Sequence, residues 1–181
     1  AVAHFKGVAI GTNAKINNDE SVSIGTDSQS GSKGIALGYA AKTESDQATA
    51  LGYGANAKGS KSIALGGNAI SSSDENVALG YSAIASGSKA AAIGNSAKAS
   101  ANQTLALGKD AAASGSDAFA IGTSASATQN KAFAIGDGAK ATSSESFAIG
   151  QNASSASDHG MAIGVGAKAS SQQNALALGV N

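Results

Sequence analysis

The 181-residue chain contains no cysteine, no proline, no tryptophan and no arginine. Without cysteine, disulfide bonds, thiolate zinc sites and thiol catalysis are excluded. The absence of proline suits a backbone that donates hydrogen bonds along most of its length. Aromatic residues make up only 4% of the chain and most of its apolar residues are alanine, so any core must be thin and regular.

The chain also lacks an excess of either charge. Twelve lysines balance 12 acidic residues, and no basic block stands out. This balance gives no electrostatic reason to expect a nucleic acid or an anionic membrane as a partner. No stretch approaches the roughly 20 apolar residues of a membrane helix. We therefore predict no nucleic-acid partner and no direct membrane contact by this segment.

One tetrapeptide recurs thirteen times: a usually apolar residue, alanine (serine once, at Ser23), isoleucine or leucine, and glycine, as in Ile63–Gly66. The interval between closing glycines is 14 residues, except for one of 13 and one of 15. A period held along the whole chain indicates a repeat architecture. The closing glycines are Gly11, Gly25, Gly38, Gly52, Gly66, Gly80, Gly94, Gly108, Gly122, Gly136, Gly150, Gly164 and Gly179.

Each repeat has a weaker second half, in which small residues lie three and five positions after the glycine, as Ala55 and Ala57 follow Gly52. A spacing of two is the period of a β-strand. Glycine, serine and other turn formers fill the intervals. We predict an all-β fold: a parallel β-roll, or β-solenoid, of about 13 fourteen-residue coils with two short strands each. Residues 1–181 would form one domain, with an incomplete or capping coil at each end.

The alternation within the first strand predicts two different faces. We place large residues such as Ile63 and Leu65 inward, against the small residues of the second strand. The alanine between them then points outward, and a continuous row of small side chains suits close contact with identical chains. Alternatively, alanine is merely tolerated there. The predicted trimer-packing stripe is Ala36, Ala50, Ala64, Ala78, Ala92, Ala106, Ala120, Ala134, Ala148 and Ala162.

The motif in Ser21–Gly25, Asn76–Gly80 and Ser146–Gly150 resembles the head repeat of YadA-type trimeric autotransporter adhesins, a type V secretion family. The resemblance runs from about Val8 to Gly179. It implies a left-handed roll, a homotrimer, and exposure as an extracellular head at the outer membrane of a Gram-negative bacterium. We expect no neck, stalk or membrane anchor within these 181 residues.

The resemblance also implies host ligands: matrix proteins such as collagen, fibronectin or laminin, or a cell-surface receptor of the CEACAM type. We expect no catalytic, cofactor-binding or metal-binding residues, because no catalytic triad or in-phase carboxylate set recurs. The alternative is a passive spacer in an adhesin fibre, with the receptor site elsewhere. An ice-binding solenoid would need a threonine ladder, and a left-handed-helix acyltransferase would need a hexapeptide repeat.

Departures from the repeat are where ligand choice would lie. All three tyrosines, Tyr39, Tyr53 and Tyr81, directly follow a closing glycine, and Ile70 and Ile84 replace polar residues in the second strand. Stacked coils align equal positions, so we predict that these five form a receptor-binding patch. Alternatively, the tyrosines cap turns and the isoleucines fill a groove between subunits. Three phenylalanines in consecutive coils, Phe119, Phe133 and Phe147, are interpreted as a core ladder.

Overall fold

A computed structural model describes residues 6–170 and 173–180. Its regular structure consists entirely of short β-strands, and no helix that could span a membrane occurs in this part of the chain. The all-β prediction is therefore confirmed. The chain divides into two compact units, residues 1–89 and 90–181. The predicted capping coils lie partly outside the described residues, and the single-domain assignment stays a prediction.

In the first unit, three-residue and two-residue strands alternate along the chain. The three-residue strands form sheet I: β1 (Val8–Ile10), β3 (Val22–Ile24), β5 (Ile35–Leu37), β7 (Thr49–Leu51), β9 (Ile63–Leu65) and β11 (Val77–Leu79). The two-residue strands form sheet II: β2 (Lys15–Ile16), β4 (Gln29–Ser30), β6 (Lys42–Thr43), β8 (Asn56–Ala57), β10 (Ile70–Ser71) and β12 (Ile84–Ala85).

The second unit repeats this plan. Its sheet I consists of β13 (Ala91–Ile93), β15 (Leu105–Leu107), β17 (Phe119–Ile121), β19 (Phe133–Ile135), β21 (Phe147–Ile149), β23 (Met161–Ile163) and β25 (Leu176–Leu178). Its sheet II consists of β14 (Lys98–Ala99), β16 (Ala112–Ala113), β18 (Ser126–Ala127), β20 (Lys140–Ala141), β22 (Ser154–Ser155) and β24 (Lys168–Ala169).

Neighbouring strands within each sheet are parallel and one coil apart. Ile63 of β9 is opposite Val77 of β11, and Lys140 of β20 is opposite Ser154 of β22. Equal positions of successive coils therefore form straight columns across each sheet. This register confirms the predicted parallel β-solenoid with two short strands per coil.

The interior of each coil is filled almost entirely by small side chains. Sheet I contributes the central alanine of its strand and sheet II the two small residues after the glycine, as in Ala64, Ala55 and Ala57, all with 0% exposure. A further small or polar residue, such as Ser62, precedes each sheet I strand and is also buried. Such an interior lets two backbones approach closely, so dense packing is reached with few large residues, of which Ile16 is one.

The prediction for the faces of sheet I was wrong. The alanines of the proposed trimer-packing stripe point into the roll and are fully buried within a single chain. The large residues point outward instead: Ile63 is 41% exposed and Leu79 is 38% exposed. The reason is steric, because the space between two closely spaced sheets admits alanine and serine but not pairs of leucines. The proposed inward orientation of the small residues of sheet II is confirmed.

The closing glycine is required by both backbone conformation and close approach. At Gly52 φ is +135°, a conformation that L-residues rarely adopt. A Cβ atom placed there would lie 2.6 Å from the carbonyl oxygen of Gly66 in the next coil. The recurring glycine therefore sets the distance between coils at this corner.

Replacing Gly52 by alanine is therefore expected to lower the free energy of unfolding by about 3 kcal/mol, from backbone strain and overpacking together. Urea unfolding followed by circular dichroism measures the loss. The control is Gly54→Asn, because Gly54 has φ +61° and Asn68 occupies the same position of the next coil at φ 55°. An equal loss in both variants would contradict this role for the closing glycine.

Substitution of Ala64 by leucine tests which way the alanine row points. Buried inside the roll, the larger side chain should lower the free energy of unfolding by about 2 kcal/mol or more. Thr49→Leu is the matched control, because Thr49 occupies an outward position where neighbouring coils carry isoleucine. Comparable urea midpoints for the two variants would argue that the alanines face outward.

Candidate binding surfaces

The outer face of sheet I carries two columns of large aliphatic side chains in the first unit. They come from the first and third residues of each strand. The in-register pairing stacks the third residues without interruption, as Leu37, Leu51 and Leu65 follow one another, whereas Thr49 interrupts the first column. Leu51 is 39% exposed and Ile10 is 57% exposed. A continuous exposed apolar surface of this kind indicates contact with another protein.

The three tyrosines form a column at the turn after sheet I. The rings of Tyr39 and Tyr53 are stacked, with centroids 5.1 Å apart and planes 12° from parallel. Tyr81 lies two coils beyond Tyr53, and its ring lies against Gly67 of the coil between them. The tyrosines are 49%, 63% and 59% exposed in chain order, so much of each ring is accessible. Because Gly67 has no side chain, the Tyr81 ring can lie over the backbone at this position.

The two isoleucines form a separate feature on the outer face of sheet II. Ile70 and Ile84 are directly opposite each other in β10 and β12, and both are half-buried. They lie three positions beyond the tyrosine column along each coil. The structure therefore arranges the five predicted residues as two separate columns, one at a turn and one on a sheet, and only one coil, with Tyr81 and Ile84, contributes to both.

The phenylalanines are stacked but do not form a core. Ring centroids are 5.0 Å apart between Phe119 and Phe133 and 4.9 Å apart between Phe133 and Phe147. All three side chains are half-buried on the outer face of sheet I, so the interpretation as a core ladder was wrong. They occupy the same outward column as the aliphatic residues of other coils, for the same steric reason.

A charged ladder that the sequence analysis missed borders these rings. Glu145 lies between Lys131, whose Nζ is 3.3 Å from Oε1, and His159, whose Nε2 is 3.4 Å from Oε2. With Phe133, Phe147 and Met161, these side chains line a shallow cavity of about 290 Å³. Their spacing of 14 residues was the available signal, because it places them in one column. In the described part of the chain, no three metal-ligating side chains come together.

Comparisons with known proteins agree with the repeat pattern. The family model for the YadA head domain repeat, which spans two copies, matches residues 6–28, 30–55, 45–69, 57–83, 77–96, 85–111, 113–139, 131–153 and 155–181. No curated protein matches the chain. Among solved structures, the chain is similar to the collagen-binding domain of the Yersinia adhesin YadA at 19% identity. That match covers 99% of this chain and 83% of that one, with a TM-score of 0.40.

Proposed function

This chain belongs to the family of YadA head domain repeats, a family of surface adhesins, and on that premise we propose that three copies form the head of a bacterial adhesin. The head binds host matrix or cell-surface proteins from the outer membrane of a Gram-negative bacterium. The observation that carries the proposal is the row of large aliphatic side chains that every coil of the first unit presents outward on sheet I.

In a single chain this row of aliphatic side chains is exposed to water, and self-association buries it. Leu51, Ile63 and Leu79 remain 38–41% exposed although they belong to the most regular part of the repeat. Their burial removes apolar surface from water in every coil, which favours association in proportion to the area buried. A heterologous contact between identical chains closes into a ring, and a ring of three brings three such faces around one axis.

Packing through sheet I leaves the tyrosine column at the edge of the interface and the outer face of sheet II in solvent. Tyrosine offers a large, rigid contact surface with a hydroxyl group that can form hydrogen bonds, which suits protein recognition. We therefore assign receptor contact to Tyr39, Tyr53 and Tyr81, supported by the Ile70–Ile84 pair. Collagen, fibronectin and laminin are the matrix ligands to test, with a CEACAM-type receptor as the cell-surface candidate.

The double variant Leu51→Lys, Leu79→Lys should dissociate the trimer, because it places charges in an interface that excludes water. Light scattering of the native chain should give three times the 17.2 kDa mass of one chain, and the variant should give a single mass. The control is Gln29→Lys, Asn56→Lys, which adds the same charge on sheet II and should remain trimeric. A native chain that is monomeric at micromolar concentration would refute the assembly.

Replacing Tyr53 and Tyr81 by serine should weaken binding to the host protein by about tenfold or more, because two ring anchors are removed. Surface plasmon resonance on immobilised collagen, fibronectin, laminin and receptor ectodomain measures this loss. Lys109→Ser, Gln151→Ser is the control, because these residues also directly follow a closing glycine.

Three results of this experiment are informative. Unchanged affinity in the tyrosine variant, with native light scattering and circular dichroism, would remove the tyrosines from the receptor site. Equal losses in both variants would place the contact at the turns in general. A trimeric head that binds none of the host proteins would favour the spacer function instead.

A further inference from the structure

Sheet II of the second unit presents an unpaired column of lysines. Lys98, Lys140 and Lys168 begin strands β14, β20 and β24, are exposed, and share one column through the register of the sheet. None of the three forms an ion pair with the described residues. Lys140 and Lys168 are two strands apart, which is about 9.6 Å, and Lys98 lies about 14 Å from Lys140.

The acidic residues of the second unit are kept away from this face. The unit contains as many carboxylates as lysines, but all five carboxylates lie in turns between strands, at Asp110, Asp117, Asp137, Glu145 and Asp158. The outward positions of its sheet II carry only lysine, serine and alanine. A unit with no net charge therefore has one positively charged face.

A column of hydroxyl groups runs beside the lysines. It comes from the residues that follow five of the six sheet II strands, Ser100, Ser114, Thr128, Thr142 and Ser170, whereas Ala156 follows β22. Their backbone remains in the ladder, since the amide of Ser100 donates to the carbonyl of Ala113 at 2.9 Å. Residues two apart on a strand share a face, so the hydroxyls lie about 6.6 Å from the lysine column on the same side.

The first unit shows that this face is not a general property of the repeat. There Lys42 is paired with Glu44 at 3.0 Å across the equivalent two columns. Further along the same column Ile70 and Ile84 replace polar residues. The first unit also carries Lys15 and Lys58 on these two columns, but its face is partly neutralised by Glu44 and partly apolar. The face of the second unit carries only lysine, hydroxyl and alanine side chains at these positions.

We propose that the lysine–hydroxyl face of the second unit binds a sulfated, extended polysaccharide of the glycosaminoglycan type. Lysine ammonium groups attract sulfate as point charges, and serine and threonine hydroxyls donate hydrogen bonds to sulfate and sugar oxygens. A straight column several strands long matches a linear polyanion better than a compact ligand. The small residues between the lysines leave the face flat, so a chain of sugar rings meets no steric obstacle.

Other anionic partners fit this face less well. It carries no aromatic or large aliphatic side chain that could insert into a membrane interface. It has neither arginine to read base edges nor aromatic rings to stack with bases. It also lacks the large anchor residues that dominate protein interfaces. The inference rests on the proposed function in one respect: sheet II must stay accessible when copies pack through sheet I.

Heparin is the probe for this proposal. We expect the triple variant K98Q/K140Q/K168Q to bind fluorescent heparin oligosaccharide at least about tenfold more weakly than the native chain, because three charge-assisted contacts are lost. The control K33Q/K61Q/K89Q removes the same charge from turns of the first unit and should change the affinity less than about threefold. Native binding should weaken as salt is added and should be lost with chemically desulfated heparin.

Several outcomes would overturn the proposal. These are no heparin binding by the native chain, equal losses in both triple variants, or undiminished binding to desulfated heparin. Tighter, lysine-dependent binding to phosphatidylserine vesicles than to heparin would assign the face to a membrane instead. Light scattering and matrix-protein binding are measured on the same samples. Loss of heparin binding alone by an intact trimer therefore concerns only this inference, whereas a monomeric native chain contradicts the proposed function.

Discussion

The close approach of two parallel sheets is the constraint on which the rest of this structure depends. Each closing glycine adopts a positive φ, and within each unit all but the last abut the same glycine of the next coil, so these coils stack tightly at one corner. Between the sheets, alanine, serine and threonine fill most of a narrow space, and Ile16 and Asn76 are the larger buried side chains. Several buried polar side chains form hydrogen bonds with one another or with the backbone, as between the hydroxyls of Ser23 and Ser28 at 2.8 Å.

An interior of this kind leaves the large apolar residues of sheet I on the outside. In an ordinary domain such residues form the core, whereas here Ile63, Leu79 and Phe133 lie on the outer face of a sheet. Part of each of these side chains therefore stays in contact with water in a single chain, as the 41% exposure of Ile63 shows. The same steric limit that makes the roll thin therefore also gives sheet I an apolar outer face.

The period of 14 residues was sufficient to predict the strands, their parallel register and the inward residues of sheet II. It could not determine which face of sheet I points inward, because alternation defines two faces without distinguishing them. The residue before each strand held the missing information: Ser62 and Ala48 share the inner face with the central alanine, and that position is never a large aliphatic. The position of each tyrosine within the repeat was sufficient to predict the column. The stacking of Tyr53 on Tyr39 and the contact of Tyr81 with Gly67 depend on side-chain conformations, which the repeat does not specify.

Composition gave the least information about the surface, since equal numbers of lysines and carboxylates suggested no electrostatic preference. In a solenoid, the position of a residue within the repeat determines the face on which it lies. Charges at different repeat positions therefore lie on different faces, even when the total charge is zero. Lys140 and Asp137 are three residues apart in sequence, yet one lies on the outward column of sheet II and the other lies in a turn. In repeat proteins, net charge should therefore be counted per column. Counted in this way, the neutral second unit contains a positive face several strands long.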